Sequence, residues 1–147
     1  MANETALQQA SNQPIETDEQ LRGLAQALLE KAVRRQCWLM FFTSDHTPIE
    51  LLIPIEELPY EPDGDVGNFA RVVFDIMQRC GAIEVVVAWE RVGGPDLMPS
   101  EQLWVDAVDR EFALAGVRIR GQVLVYDDGV ALIDGVGSAL LGRVGAL

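Results

Sequence analysis

The chain has 147 residues, with 23 acidic and 11 basic side chains and one histidine, for a formal net charge of −12. Apolar residues make up 49% and charged residues 23%, which fits a globular domain and excludes collagen-like and wholly disordered chains. The length suits one domain with a real core, and the acidity argues against nucleic acid, whose phosphates need a positive patch.

Residues 1–16 are polar, without period, and contain Pro14, so a loose N-terminal tail is expected. Thr17 then opens a helix, with Gln20 three residues on as in a capping box. Leu21, Leu24, Ala25, Leu28, Leu29, Ala32 and Val33 recur at helical spacing, and the helix should end near Arg34 and Arg35, where positive charge suits the negative helix terminus. Cys37–Thr43 reads as a buried strand. Ser44–Pro48 is a turn by composition, and Ile49–Ile55 is a second apolar run that completes a hairpin. Residues 56–65 carry Glu56, Glu57, Glu61, Asp63 and Asp65 with no base, the mark of a solvated acidic loop.

Asp65–Gly81 reads as a second amphipathic helix, with Gly81 as its stop. Ile83–Trp89 is a strand whose Val and Ile content fits cover on both faces. A loop with glycine and proline follows, and Ser100 is expected to cap a third helix running to about Ala115. Val117–Tyr126 is a strand, Asp128–Gly129 a hairpin turn, and Val130–Ile133 a short partner strand. The order α-β-β-α-β-α-β-β predicts an α/β fold: a three-layer mixed sheet with helices on both faces, occupying residues 17–134 as a single domain. Residues 135–147 would be a tail or arm.

Cys37 and Cys80 lie on apolar stripes and read as buried thiols rather than as a disulfide framework. The N-terminal residues lack the basic region and apolar core of a secretory signal, and no apolar run reaches the roughly 20 residues of a membrane helix. A cytoplasmic location without membrane contact is therefore expected.

Chemistry-bearing residues are sparse. His46 could serve as a general base with Asp45 and Glu50 nearby, although Ser44, Asp45 and His46 are also ordinary turn formers. Asp63 and Asp65 begin like a calcium loop, but Gly67, Asn68 and Phe74 stand where an EF-hand needs a ligand, a glycine and a glutamate. Glu90 and Asp96 flank the glycine loop and could form a polar rim with Arg91. Trp89 and Trp104 lie at its two ends, placed either to fill a void or to anchor a partner.

The strand IEVVVAW, the glycine loop, the Pro99–Ser100 pair opening a helix, the stretch AGVRI and the strand ending in YDDGVALI together resemble the JAB/MPN metal-dependent hydrolases of the RadC type, over Arg35–Ile133. The same rhythm also resembles a family of actinobacterial domains with no assigned chemistry. The JAB/MPN resemblance places the two zinc histidines at Trp89 and Arg91, the zinc aspartate at Leu103 and the general base near Gln36. Only Ser100 of that constellation is retained. Indole, guanidinium and an alkyl chain supply no ligands for zinc. The resemblance therefore implies no metal, no cofactor and no catalytic residue, with inactive copies serving as scaffolds.

The expected function is a non-catalytic interaction or assembly module on a degenerate metalloprotease-like fold, with Trp89, Glu90, Arg91, Ser100 and Trp104 as its binding residues. Its partner would be another protein or a second copy in a homodimer. The alternatives are a hydrolase built on Asp45, His46 and Glu50, and an acidic chaperone or nucleic-acid-mimicking inhibitor.

Overall fold

A computed structural model describes residues 3–133; the expected tail or arm at 135–147 lies outside them. Nine elements follow in chain order: α1 (Glu4–Ala10), α2 (Asp18–Leu29), β1 (Gln36–Phe42), β2 (Pro48–Ile55), α3 (Val66–Cys80), β3 (Glu84–Glu90), α4 (Pro99–Leu114), β4 (Ile119–Tyr126) and β5 (Gly129–Leu132). The strands form one sheet in the order β2-β1-β3-β4-β5. β3 and β4 are parallel, bridged by α4, and the other pairs are antiparallel. This is the expected three-layer α/β architecture with an added N-terminal helix.

Strand alternation divides the core into two faces. Trp38, Met40, Phe42, Val86, Ala88, Val123 and Val125 point to one side and pack under α1 and α2. Cys37, Leu39, Phe41, Val85 and Val87 point to the other, under α3 and α4. The central strands are buried on both faces, which is why their sequences are continuous apolar runs rather than alternating ones.

Three expectations need correction. The segment 1–16 is not loose throughout: Asn3 caps α1 through its side chain, Leu7 is buried within the α2 core and Ile15 is buried beside it. Two well-spaced apolar residues were enough to dock a short polar helix. The second helix keeps its capping box at Thr17 and Gln20, but stops at Leu29 rather than near Arg35. Glu30 adopts φ 61°, its carbonyl accepts the Gln26 side chain, and the following backbone is drawn to the sheet end described below. Finally, Ser100 does not cap α4. Met98 holds the N-cap position, Pro99 is the first helical residue, and the Glu101 carboxylate accepts the Met98 N–H at 2.7 Å.

Candidate functional site: an apolar pocket at the end of β3

In α/β sheets binding crevices open beyond the carboxyl ends of strands. Here β3 ends at Trp89 and Glu90, and the loop 91–98 carries the chain over to α4. A pocket of about 280 Å³ opens at this place. Trp89, Glu90, Arg91, Ser100 and Trp104 all line it, joined by Arg35, Gln36, Leu58, Tyr60, Val92, Met98 and Glu101. The structure thus brings together in one cavity every residue that the sequence singled out as a binding candidate.

The floor is a pair of indoles. Trp89 and Trp104 stand 5.7 Å apart between ring centroids, tilted by 46°, within the separation at which aromatic pairs attract. Each indole N–H is held from behind. Trp89 Nε1 donates to Gln122 Oε1 at 2.7 Å, and Gln122 Nε2 in turn donates to the Val105 carbonyl of α4 at 3.1 Å. Trp104 Nε1 donates to the Pro59 carbonyl at 3.0 Å. Because the polar edges are bonded to the protein, the apolar ring surfaces are what remains for a ligand.

One wall comes from the acidic loop. Arg35 donates to the carbonyls of Leu58 and Pro59 at 2.6 and 2.8 Å and lies 5.8 Å from the Tyr60 ring centroid. Those bonds turn a segment read from sequence as solvated into a pocket wall carrying Leu58 and Tyr60, while its carboxylates stay exposed.

The opposite wall is organised by Arg91. Its Nε and Nη2 grip Glu101 at 2.6 and 3.2 Å, and its Nη1 and Nη2 bind the carbonyls of Gly94 and Asp96 at 2.6 and 2.7 Å. A bidentate guanidinium–carboxylate pair of this kind fixes geometry as well as charge. It ties the glycine loop to the first turn of α4. The loop is pinned again by Asp127, which accepts the Gly93 N–H at 3.0 Å. Arg91 is therefore a clamp within the protein, and its guanidinium is spent.

Glu90 is the most enclosed polar residue lining the pocket, with 2% of its surface exposed. Its side chain turns away from Trp89, to the α2 face. There it accepts the Trp38 indole at 2.8 Å, the Gln36 amide at 2.9 Å, and the backbone N–H groups of Val33 and Arg34 at 2.7 and 3.1 Å. Burial raises its pKa. The bonds from Trp38, Val33, Arg34 and Gln36 lower it and prevail, so the carboxyl titrates below its ordinary value. These bonds hold the non-helical segment that follows α2 against the sheet end. Asp96, the other acid expected at the rim, is exposed on the loop, and no hydrogen bond joins the two carboxylates among the described residues.

The remaining candidates lie elsewhere. His46 has φ 64° in the β1–β2 turn and faces Glu84 at 3.4 Å rather than Asp45. The Asp45 N–H is bound to Thr43 Oγ1, and Glu50 stands exposed on β2. Asp45, His46 and Glu50 are not among the residues that line this pocket. Cys37 is fully enclosed and burial pushes its thiol pKa up, the opposite of what a nucleophile needs. Cys80 is partly buried and donates to the Met77 carbonyl within α3. Among the described residues no group of three or more His, Cys, Asp or Glu is placed to hold a metal ion, and no helix is long and apolar enough to cross a membrane.

Sequence reasoning missed Leu58, Tyr60, Val92 and Met98 as pocket residues. They sit in loops, where no periodicity marks a face. The available signal was apolar side chains inside otherwise polar loops. No family model matches the chain, and no curated protein matches it.

Proposed function

We propose that this protein is a non-catalytic recognition module whose binding element is the pocket floored by Trp89 and Trp104. The carrying observation is the contrast between its rim and its polar groups. Tyr60, Val92 and Met98 are 62, 61 and 41% exposed around the opening, an arrangement typical of interaction surfaces. Meanwhile Arg91, Glu101, Glu90 and both indole N–H groups are already bonded within the protein. Apolar surface is offered, while these charged and N–H groups are withheld.

The resemblance to JAB/MPN hydrolases supports the same reading. The positions it assigns to general base, histidine ligands and serine are Gln36, Trp89, Arg91 and Ser100, and all four line this pocket. Indole and clamped guanidinium occupy the places of ligands. Leu103, the aspartate position, is 49% exposed on α4 and is not among the lining residues. A degenerate member of that class would be an assembly module in the cytoplasm.

The pocket is a better contact surface than the sheet edges. β2 carries Pro48 and Pro54, and β5 spans four residues, so both edges are poor templates for strand addition. A protein partner seated at the pocket is therefore favoured over a homodimer built by sheet extension.

Titration of the protein with an uncharged cyclohexyl fragment, followed by tryptophan emission, tests this reading. A saturable change is expected, lost in Met98→Asp. An unresponsive pocket, or turnover of peptide or isopeptide bonds by the purified protein, would overturn it.

A further inference from the structure

The surroundings of the pocket mouth specify the chemistry of the partner. The loop that supplies Leu58 and Tyr60 also carries Glu57 and Glu61, and the loop that supplies Val92 and Met98 carries Asp96. All three carboxylates are exposed, and none has an ion-pair partner among the described residues. Against them stands Arg35, whose guanidinium is held by two carbonyls and has no carboxylate partner. Arg91 is neutralised by Glu101. The mouth therefore carries a net negative charge, in keeping with a whole-chain charge of −12.

Size sets a second limit. About 280 Å³ lies just below the roughly 300–1,000 Å³ range of small-molecule and cofactor pockets. It admits one apolar side chain rather than an extended cofactor. The floor is ring surface, so nothing inside rewards a buried charge.

We infer that the pocket binds a basic peptide segment of a partner protein, one apolar side chain of which enters the pocket and rests on the floor made by Trp89 and Trp104, while its flanking lysines and arginines face Glu57, Glu61 and Asp96. This rests on the recognition reading above and adds the charge and form of the partner. An apolar anchor supplies desolvated contact area, and the exposed charges supply orientation and encounter rate.

Fluorescein-labelled peptides of about ten residues test the inference by anisotropy. Their flanks are Lys/Arg, Gly/Ser or Glu, and their central residue is Leu or Ala. The basic Leu peptide is expected to bind at least about tenfold more tightly than either the Gly/Ser-flanked Leu peptide or the basic Ala peptide, with the flank advantage shrinking at about 0.5 M salt. Tyr60→Ser and Met98→Ser alter exposed side chains. They should reduce the Leu peptide to the level of the Ala peptide. Glu57→Lys combined with Glu61→Lys and Asp96→Lys should erase the flank preference and keep the anchor preference.

Equal binding of basic and neutral Leu peptides would overturn the inference and leave the recognition reading standing. Basic peptides that bind without regard to the anchor would reveal mere attraction to an acidic chain and overturn it as well. A protein that dimerises by light scattering, and whose dimer is broken by Tyr60→Ser, has a second copy as its occupant, again against the inference. If no peptide binds and the cyclohexyl fragment leaves tryptophan emission unchanged, both readings fail together.

Discussion

Glu90 shows how one buried carboxylate can organise a site without taking part in its chemistry. It accepts four hydrogen bonds from Gln36, Trp38, Val33 and Arg34, and charged acceptors of this kind contribute more than neutral ones. Glu90→Gln keeps the shape but turns an amide N–H toward at least one donor. We expect a loss of about 3 kcal/mol, read as a fall of roughly 10 °C in melting temperature. Acid makes the same point with a defined sign. The folded-state pKa of Glu90 lies below its ordinary value, so its contribution is present above the unfolded value of about 4.3. It is lost as pH falls through the folded value. Stability measured by urea titration should decline more steeply below about pH 4 in the parent than in Glu90→Gln; parallel curves would show that the carboxylate is not the titrating anchor. Cys37 gives a complementary test. Its enclosed thiol should resist iodoacetamide under native conditions, whereas the partly exposed Cys80 should be alkylated first, as peptide mass mapping would show.

Between elements, α2 lies close against β4. A Cβ at Gly121 would meet Leu21 Cδ2 at 3.1 Å, and Leu21 is fully buried. Gly121→Val should push α2 off the sheet and cost about 1–3 kcal/mol by overpacking, a shift that chemical denaturation can measure. Gly129 faces a harder limit. It has φ 152°, and a Cβ there would lie 2.7 Å from Gln26 Oε1. Where these contacts arise also explains what the sequence could show. Strands and helices over residues 36–132 were legible because apolar runs, Gly81 and the Asp128–Gly129 turn are local signals. The early end of α2 was not, because Ala32 and Val33 continue the helical spacing while the bonds that hold the non-helical segment come from Glu90, far along the chain. Trp89 and Trp104 were legible as candidates because they bracket the glycine loop. Tyr60 was hidden, since only Arg35 reaching across to Leu58 and Pro59 makes its loop a wall.

Taken whole, the molecule is an acidic body with an apolar opening at one end of its sheet. Exposed ion pairs such as Arg22–Glu19 and Arg34–Glu56 contribute little, whereas a net charge of −12 opposes compaction through self-repulsion. Raising salt from about 0.02 to about 0.5 M should therefore raise the melting temperature; a fall would mean that ion pairing outweighs repulsion. The same charge would keep copies of the chain apart while drawing a basic partner to the opening.

The three tryptophans stand in two environments. Trp89 and Trp104 floor the pocket, while Trp38 lies on the other face of the sheet, bonded to Glu90. Their indole N–H resonances can be followed by NMR as the basic leucine peptide is added. The Trp89 and Trp104 signals are expected to move together and saturate while Trp38 stays in place. Movement of Trp38 alone, or no movement of the pocket pair at saturating peptide, would contradict binding at this pocket.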